Sequence, residues 1–91
     1  MTLPGLPCIS RFYGIAIYMY FQDHEPPHVH VKYGGAKATI TIRSLRVRKG
    51  SLPPRALALV RRWAILNRDA LEADWKRAQH GRPLRPIAPL D

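Results

Sequence analysis

The chain is poor in cysteine, in acidic residues and in long apolar runs, and each shortage excludes something. A single cysteine, Cys8, cannot form an internal disulfide, so a disulfide-stapled secreted scaffold is ruled out. Cys8 reads as a packed or bystander thiol. The longest apolar stretch, from Gly14 to Phe21, is far too short to cross a bilayer, and no membrane association is expected. The N-terminus lacks a basic segment followed by an apolar core, which makes the cytoplasm the expected location. Gly-rich phosphate loops, Gly-x-Ser-x-Gly and Cys-x-x-Cys are missing, so nucleotide-loop and common nucleophile or redox chemistries find no support. No repeat or linker interrupts the 91 residues, a length that fits one small domain.

The scarcity of acids leaves fifteen Lys and Arg against six Asp and Glu, a formal charge of +9. The excess is confined to residues 43–85, which hold twelve basic and three acidic groups. Such a field attracts polyanions: RNA or other nucleic acid, or an acidic partner protein. A merely solvated basic surface is the competing reading.

Residues 1–10 read as an irregular lead-in. Alternation from Ile15 to Phe21 predicts a strand with apolar or aromatic groups on both faces. Gln22 to Pro27 is a polar connection stiffened by Pro26 and Pro27. His28 to Tyr33 and Ala36 to Arg43 read as two strands joined by the Gly34-Gly35 turn. Leu45 to Lys49 is a short fourth strand ended by Gly50. The Gly-Gly turn predicts a register in which Tyr33 faces Ala36, His30 faces Thr39 and His28 faces Thr41. One face then carries Val29, Val31, Ile40 and Ile42. The other carries His28, His30, Lys32, Lys37, Thr39, Thr41 and Arg43. Ser51 is the expected N-cap of a first helix, with Pro53-Pro54 in its first turn and Trp63 on its apolar stripe. A second helix is expected from about Asn67, with Trp75 in the core, Gly81 as its cap and Pro83 as its stop. The tail from Leu84 to Leu90 is expected to form an edge segment or to lie over the core. The fold class is α+β: a small antiparallel sheet of three to four strands with two C-terminal helices on one face.

Asp23-His24-Glu25-Pro26-Pro27-His28-Val29-His30 concentrates three of four histidines and two of six acids. His28 and His30 are two apart on a strand, so their rings share a side and their Cβ atoms lie roughly 6–7 Å apart. Two such rings suit an acid–base pair, with His24 and Asp23 as further catalytic groups from the loop. Lys32, Lys37 and Arg43 on the same face, with Arg61 and Arg62 on the first helix, are the candidate phosphate or nucleic-acid contacts. No cofactor is expected. Were a metal bound, its ligands would be His24, His28 and His30, supplemented by Asp23 or Glu25. The competing reading is a solvated His-x-His without chemistry. Tyr18 and Tyr20 could stack on bases, although packing under a helix is the commoner fate.

Three segments together resemble a known family: Ile9-Ser10-Arg11-Phe12-Tyr13-Gly14-Ile15, Met19-Tyr20-Phe21-Gln22-Asp23-His24-Glu25-Pro26-Pro27-His28-Val29-His30-Val31 and Tyr33-Gly34-Gly35. Leu52-Pro53-Pro54-Arg55-Ala56-Leu57 and the two Trp-bearing helices fit as well. The chain resembles, over roughly residues 7–90, the small bacterial proteins grouped as domain of unknown function 4160. Gln22 stands where that family often has Arg, and the C-terminal half is more basic than the resemblance implies. The resemblance implies a toxin-like member of a two-gene pair, whose partner is encoded by the neighbouring gene. It brings no catalytic residue. Asp23, His24, Pro26, Pro27, His28 and His30 match its most specific string and are the site it implies.

Overall fold

The Gly34-Gly35 hairpin sets the frame in the computed structural model, which describes residues 7–91. Five strands form one antiparallel sheet in sequence order: β1 (Cys8–Phe12), β2 (Ile15–Tyr18), β3 (His28–Tyr33), β4 (Ala36–Thr41) and β5 (Val47–Gly50). Helices α1 (Pro54–Leu66) and α2 (Arg68–Gln79) follow. The β3–β4 register pairs Tyr33 with Ala36, His30 with Thr39 and His28 with Thr41, as the two-residue turn requires.

Among the described residues the sheet has five strands, not three or four. The additional one is β1, which occupies the end of the segment read as an irregular lead-in; residues 1–6 of that lead-in lie outside the described residues. Tyr13 and Gly14 make the β1–β2 turn with φ of 49° and 78°, the left-handed values of a tight hairpin. A tyrosine is a poor advertisement for such a turn, which explains why the hairpin was hidden. β2 also stops at Tyr18, earlier than alternation suggested, and Gln22 takes a φ of 54° in the loop beyond. β4 ends at Thr41 and β5 starts at Val47, because Leu45 sits in the intervening turn with φ of 58°.

Val29, Val31, Ile40 and Ile42 are buried on the face that meets the helices, joined by Ile15, Ile17, Val60, Trp63, Leu71 and Trp75 in one apolar cluster. The Trp63 ring lies 5.4 Å from that of Phe12. Pro53, not Ser51, caps α1; the Ser51 amide instead donates to Lys37 O and prolongs the β4–β5 pairing. Asn67 alone separates the helices, and its side chain donates to Trp63 O at 2.8 Å. Gly81, at φ of 64°, closes α2: its N–H reaches Ala78 O while that of Arg82 reaches Arg77 O, a Schellman ending. The tail lies over the core. Ile87 N–H donates to Ile9 O, and Trp63 Nε1–H donates to Ala88 O at 2.8 Å.

The helices leave the opposite face of the sheet uncovered. Tyr18, His30, Lys32, Lys37 and Thr39 line it at intermediate or full exposure. Among the described residues no helix is long and apolar enough to cross a membrane.

Candidate functional site

β3 places the His28 and His30 rings side by side, with centroids 5.1 Å apart and planes at 68°. The loop after β2 folds back over this end of the strand and delivers Asp23 between them. Asp23 Oδ2 lies 2.8 Å from His28 Nε2 and 3.0 Å from His30 Nε2, while Oδ1 accepts the His24 N–H at 2.9 Å. The end of α2 holds the loop in place. Gln79 donates to Asp23 O at 2.9 Å, Gln22 N–H donates to Ala78 O, and Trp75 Nε1–H reaches Glu25 Oε2 at 3.4 Å. Local sequence carries no sign of these ties, because they join groups fifty or more residues apart.

The two histidines differ. His28 is buried: its side chain is 5% exposed, and its ring lies 5.3 Å from Trp75. Its Nδ1 lies 2.7 Å from Pro26 O, which can only accept, so Nδ1 carries a proton. The expected open polar face is therefore closed over at His28, by the loop and by α2. His30 is 23% exposed and stacks on Tyr20, with centroids 3.9 Å apart and planes 7° from parallel. Tyr20 thus belongs to the site and not to the underside of a helix, while Tyr18 lies beneath Lys32 Nζ at 5.1 Å.

Burial raises the pKa of Asp23, but the bonds from His30, the His24 amide and His28, together with the charge of His28, outweigh it. The carboxyl is held below its ordinary value of 3.8. His24 stands apart. Its side chain is 91% exposed, and its Nδ1 comes only to 3.3 Å from Asp23 Oδ1. The groups with convergent ligand atoms are Asp23, His28 and His30, whose atoms all lie within 4.8 Å of one another. This replaces the set of His24, His28 and His30 expected from the sequence.

A hollow of about 190 Å³ opens beside the cluster, bounded also by His24, Thr39, Arg48 and Lys49. It shares His30, Thr39 and Lys49 with a second hollow of about 310 Å³ that takes in Tyr20, Lys32 and Lys37. The two make one groove along the uncovered face. Arg48 and Lys49 were missed as site residues because the register of β5 depends on the Leu45 turn and on an irregularity at Thr39–Ile40.

The other expected phosphate contacts lie elsewhere. Arg43, beyond the end of β4, leaves the groove and pairs with Glu72 at 3.1 Å. Arg61 Nε–H donates to Leu45 O at 3.0 Å. Arg62 borders a separate cleft of about 410 Å³ with Tyr13, Tyr33 and Arg55. The five basic residues read as one contact set thus divide among different surfaces, and only Lys32 and Lys37 stay beside the histidines.

The family model described as "Domain of unknown function (DUF4160)" matches residues 14–76. The chain belongs to this family. The match takes in both histidines of β3, the Asp23 loop and Trp75, while β1 and the tail lie outside it, so it is narrower than the resemblance read over residues 7–90. No curated protein and no solved structure matches the chain.

Proposed function

We propose that this DUF4160 protein is an RNA-directed effector of the toxin type, gripping the phosphate backbone along the uncovered sheet face and acting on it at the Asp23–His28–His30 cluster. One observation carries the reading: Lys32, Lys37 and Lys49 line a groove that runs into the cluster, beside the Tyr20–His30 stack. Lysines neutralise phosphates, and an aromatic stack at the groove floor suits an unpaired base. His30 is the ring that lines both hollows of the groove, and Asp23 fixes its orientation. His28 anchors the cluster, with Nδ1 on Pro26 O and Nε2 on Asp23.

The test is growth of a bacterial host expressing wild type or His30→Ala, with and without the neighbouring gene, after checking that the variant folds. Toxicity that needs His30 and is relieved by the neighbour is the expected result. Toxicity unchanged in His30→Ala removes the cluster from the activity.

A second reading, a non-catalytic module that docks nucleic acid or an acidic partner, is favoured by the burial of His28 and by the separate cleft with Arg55 and Arg62. It expects no toxicity and a stable complex with the neighbouring gene's product that Arg62→Glu breaks.

A further inference from the structure

We infer that Asp23 Oδ2, His28 Nε2 and His30 Nε2 together hold one divalent first-row transition ion, zinc by preference, with its remaining positions open to the groove. The inference deepens the proposed RNA-directed function and rests on it for the identity of the substrate, a phosphate ester. The binding of the ion itself stands on geometry alone.

The three atoms come from a strand and a loop that the end of α2 clamps, and all lie within 4.8 Å of one another. At bond lengths of about 2.0–2.1 Å, neighbouring ligands of one ion stand about 2.9–3.4 Å apart, from octahedral to tetrahedral angles. The carboxylate-to-imidazole separations are 2.8 and 3.0 Å. The two imidazole nitrogens lie within 4.8 Å of each other, so seating an ion draws them together about the carboxylate oxygen to the spacing of neighbouring ligands.

Because His28 spends its Nδ1 proton on Pro26 O, a neutral ring turns the Nε2 lone pair toward Asp23. Either a proton or a metal ion must stand between that nitrogen and the carboxylate oxygen. A backbone carbonyl on the far nitrogen is the usual partner that orients a metal-bound imidazole. Here it is supplied by the stiff Pro26-Pro27 segment, while the Tyr20 ring fixes the plane of His30.

Donor chemistry and charge select the ion and what it binds. Two imidazoles and one carboxylate are the wrong set for magnesium or calcium, which take oxygen ligands, and a fitting one for zinc or iron. Three protein ligands leave positions free, as catalytic sites do. The ion and the single carboxylate leave a net positive site, with Arg48 and Lys49 beside it. The open positions therefore suit an anionic oxygen, such as that of a phosphodiester in the groove.

The experiment uses the full chain, stripped with a chelator, dialysed, and titrated with zinc chloride by calorimetry and with cobalt chloride by visible absorption. The expected result is one ion per chain, with cobalt giving the absorption bands of a site containing nitrogen ligands. Affinity should fall at least about tenfold to a hundredfold in His30→Gln and in Asp23→Asn, and stay unchanged in His24→Ala. Circular dichroism confirms folding of each variant, and the partly exposed His30 keeps the test informative if Asp23→Asn unfolds. No stoichiometric binding, or binding that survives in a folded His30→Gln, overturns the inference. RNA binding is measured separately on the stripped protein. An ion bound without any affinity for RNA leaves the site standing and sinks the proposed function. RNA binding with no ion does the reverse.

Discussion

At the scale of single residues, neighbours in sequence have unequal roles. His24 points into solvent, so His24→Ala should change stability by no more than about 0.5 kcal/mol. His28 is buried with both nitrogens engaged, and His28→Ala should cost about 2–3 kcal/mol, measured by urea denaturation of metal-free protein. Equal effects of the two substitutions would contradict the burial that separates them. Asp23 adds a pH dependence. Its carboxyl is held below the ordinary value in the fold, so it contributes stability that is fully present above about pH 4. That contribution is lost as the pH falls through the lower folded value. Metal-free wild type should therefore lose stability more steeply than Asp23→Asn across this acid range. Parallel curves would show that Asp23 does not carry the difference.

The groove depends on how β5 is joined to β4. Gly50 has φ of 71°, and a Cβ there would stand 2.1 Å from Lys37 O. No other residue fits without moving the strand that carries Lys37. Gly50→Ala should cost about 1–3 kcal/mol from backbone strain alone, before the clash is counted. It should also weaken RNA binding, because Lys37 and Lys49 border the same hollow. Thermal melting and RNA titration of the variant check both effects. A variant with unchanged melting would mean that β5 shifts freely and that the groove is not built as described. The α2 end is the other fixed element, since Gln79 and Trp75 hold the loop that carries Asp23.

Across the whole molecule, charge is divided by geometry. The formal excess of +9 belongs mostly to residues 43–85, yet Arg43 and Arg61 are engaged with Glu72 and Leu45 O. Lys32 and Lys37 come from the half that is nearly neutral in sequence, and they meet Arg48 and Lys49 only because β4 brings the two segments together. RNA affinity should thus fall steeply with salt. Each Lys→Ala change at Lys32, Lys37 or Lys49 should flatten the logarithmic slope by about 0.7, the value for one phosphate of a single strand. Arg62→Glu, facing the other cleft, should leave that slope alone. A larger loss from Arg62→Glu than from the lysines would move the nucleic-acid surface from the sheet to the helices.

The β3–β4 hairpin, its register and the two helices follow from local sequence alone. A Gly-Gly turn and period-two or helical apolar spacing act between near neighbours, and need no knowledge of the rest of the chain. The same local rules make His28 and His30 legible as a candidate pair, because a strand period of two forces both rings to one side, and leave Asp23 and His24 as alternatives from the loop. That Asp23 and not His24 joins them is a matter of packing, since the direction of a loop side chain is set by what clamps the loop, here Gln79 and Trp75 from α2. Tertiary packing also turned Tyr20 onto His30, buried His28, hid β1 behind a Tyr13-Gly14 turn, and dispersed the arginines that sequence had grouped. Those outcomes depend on contacts between segments distant in the chain, and local periodicity carries no record of them.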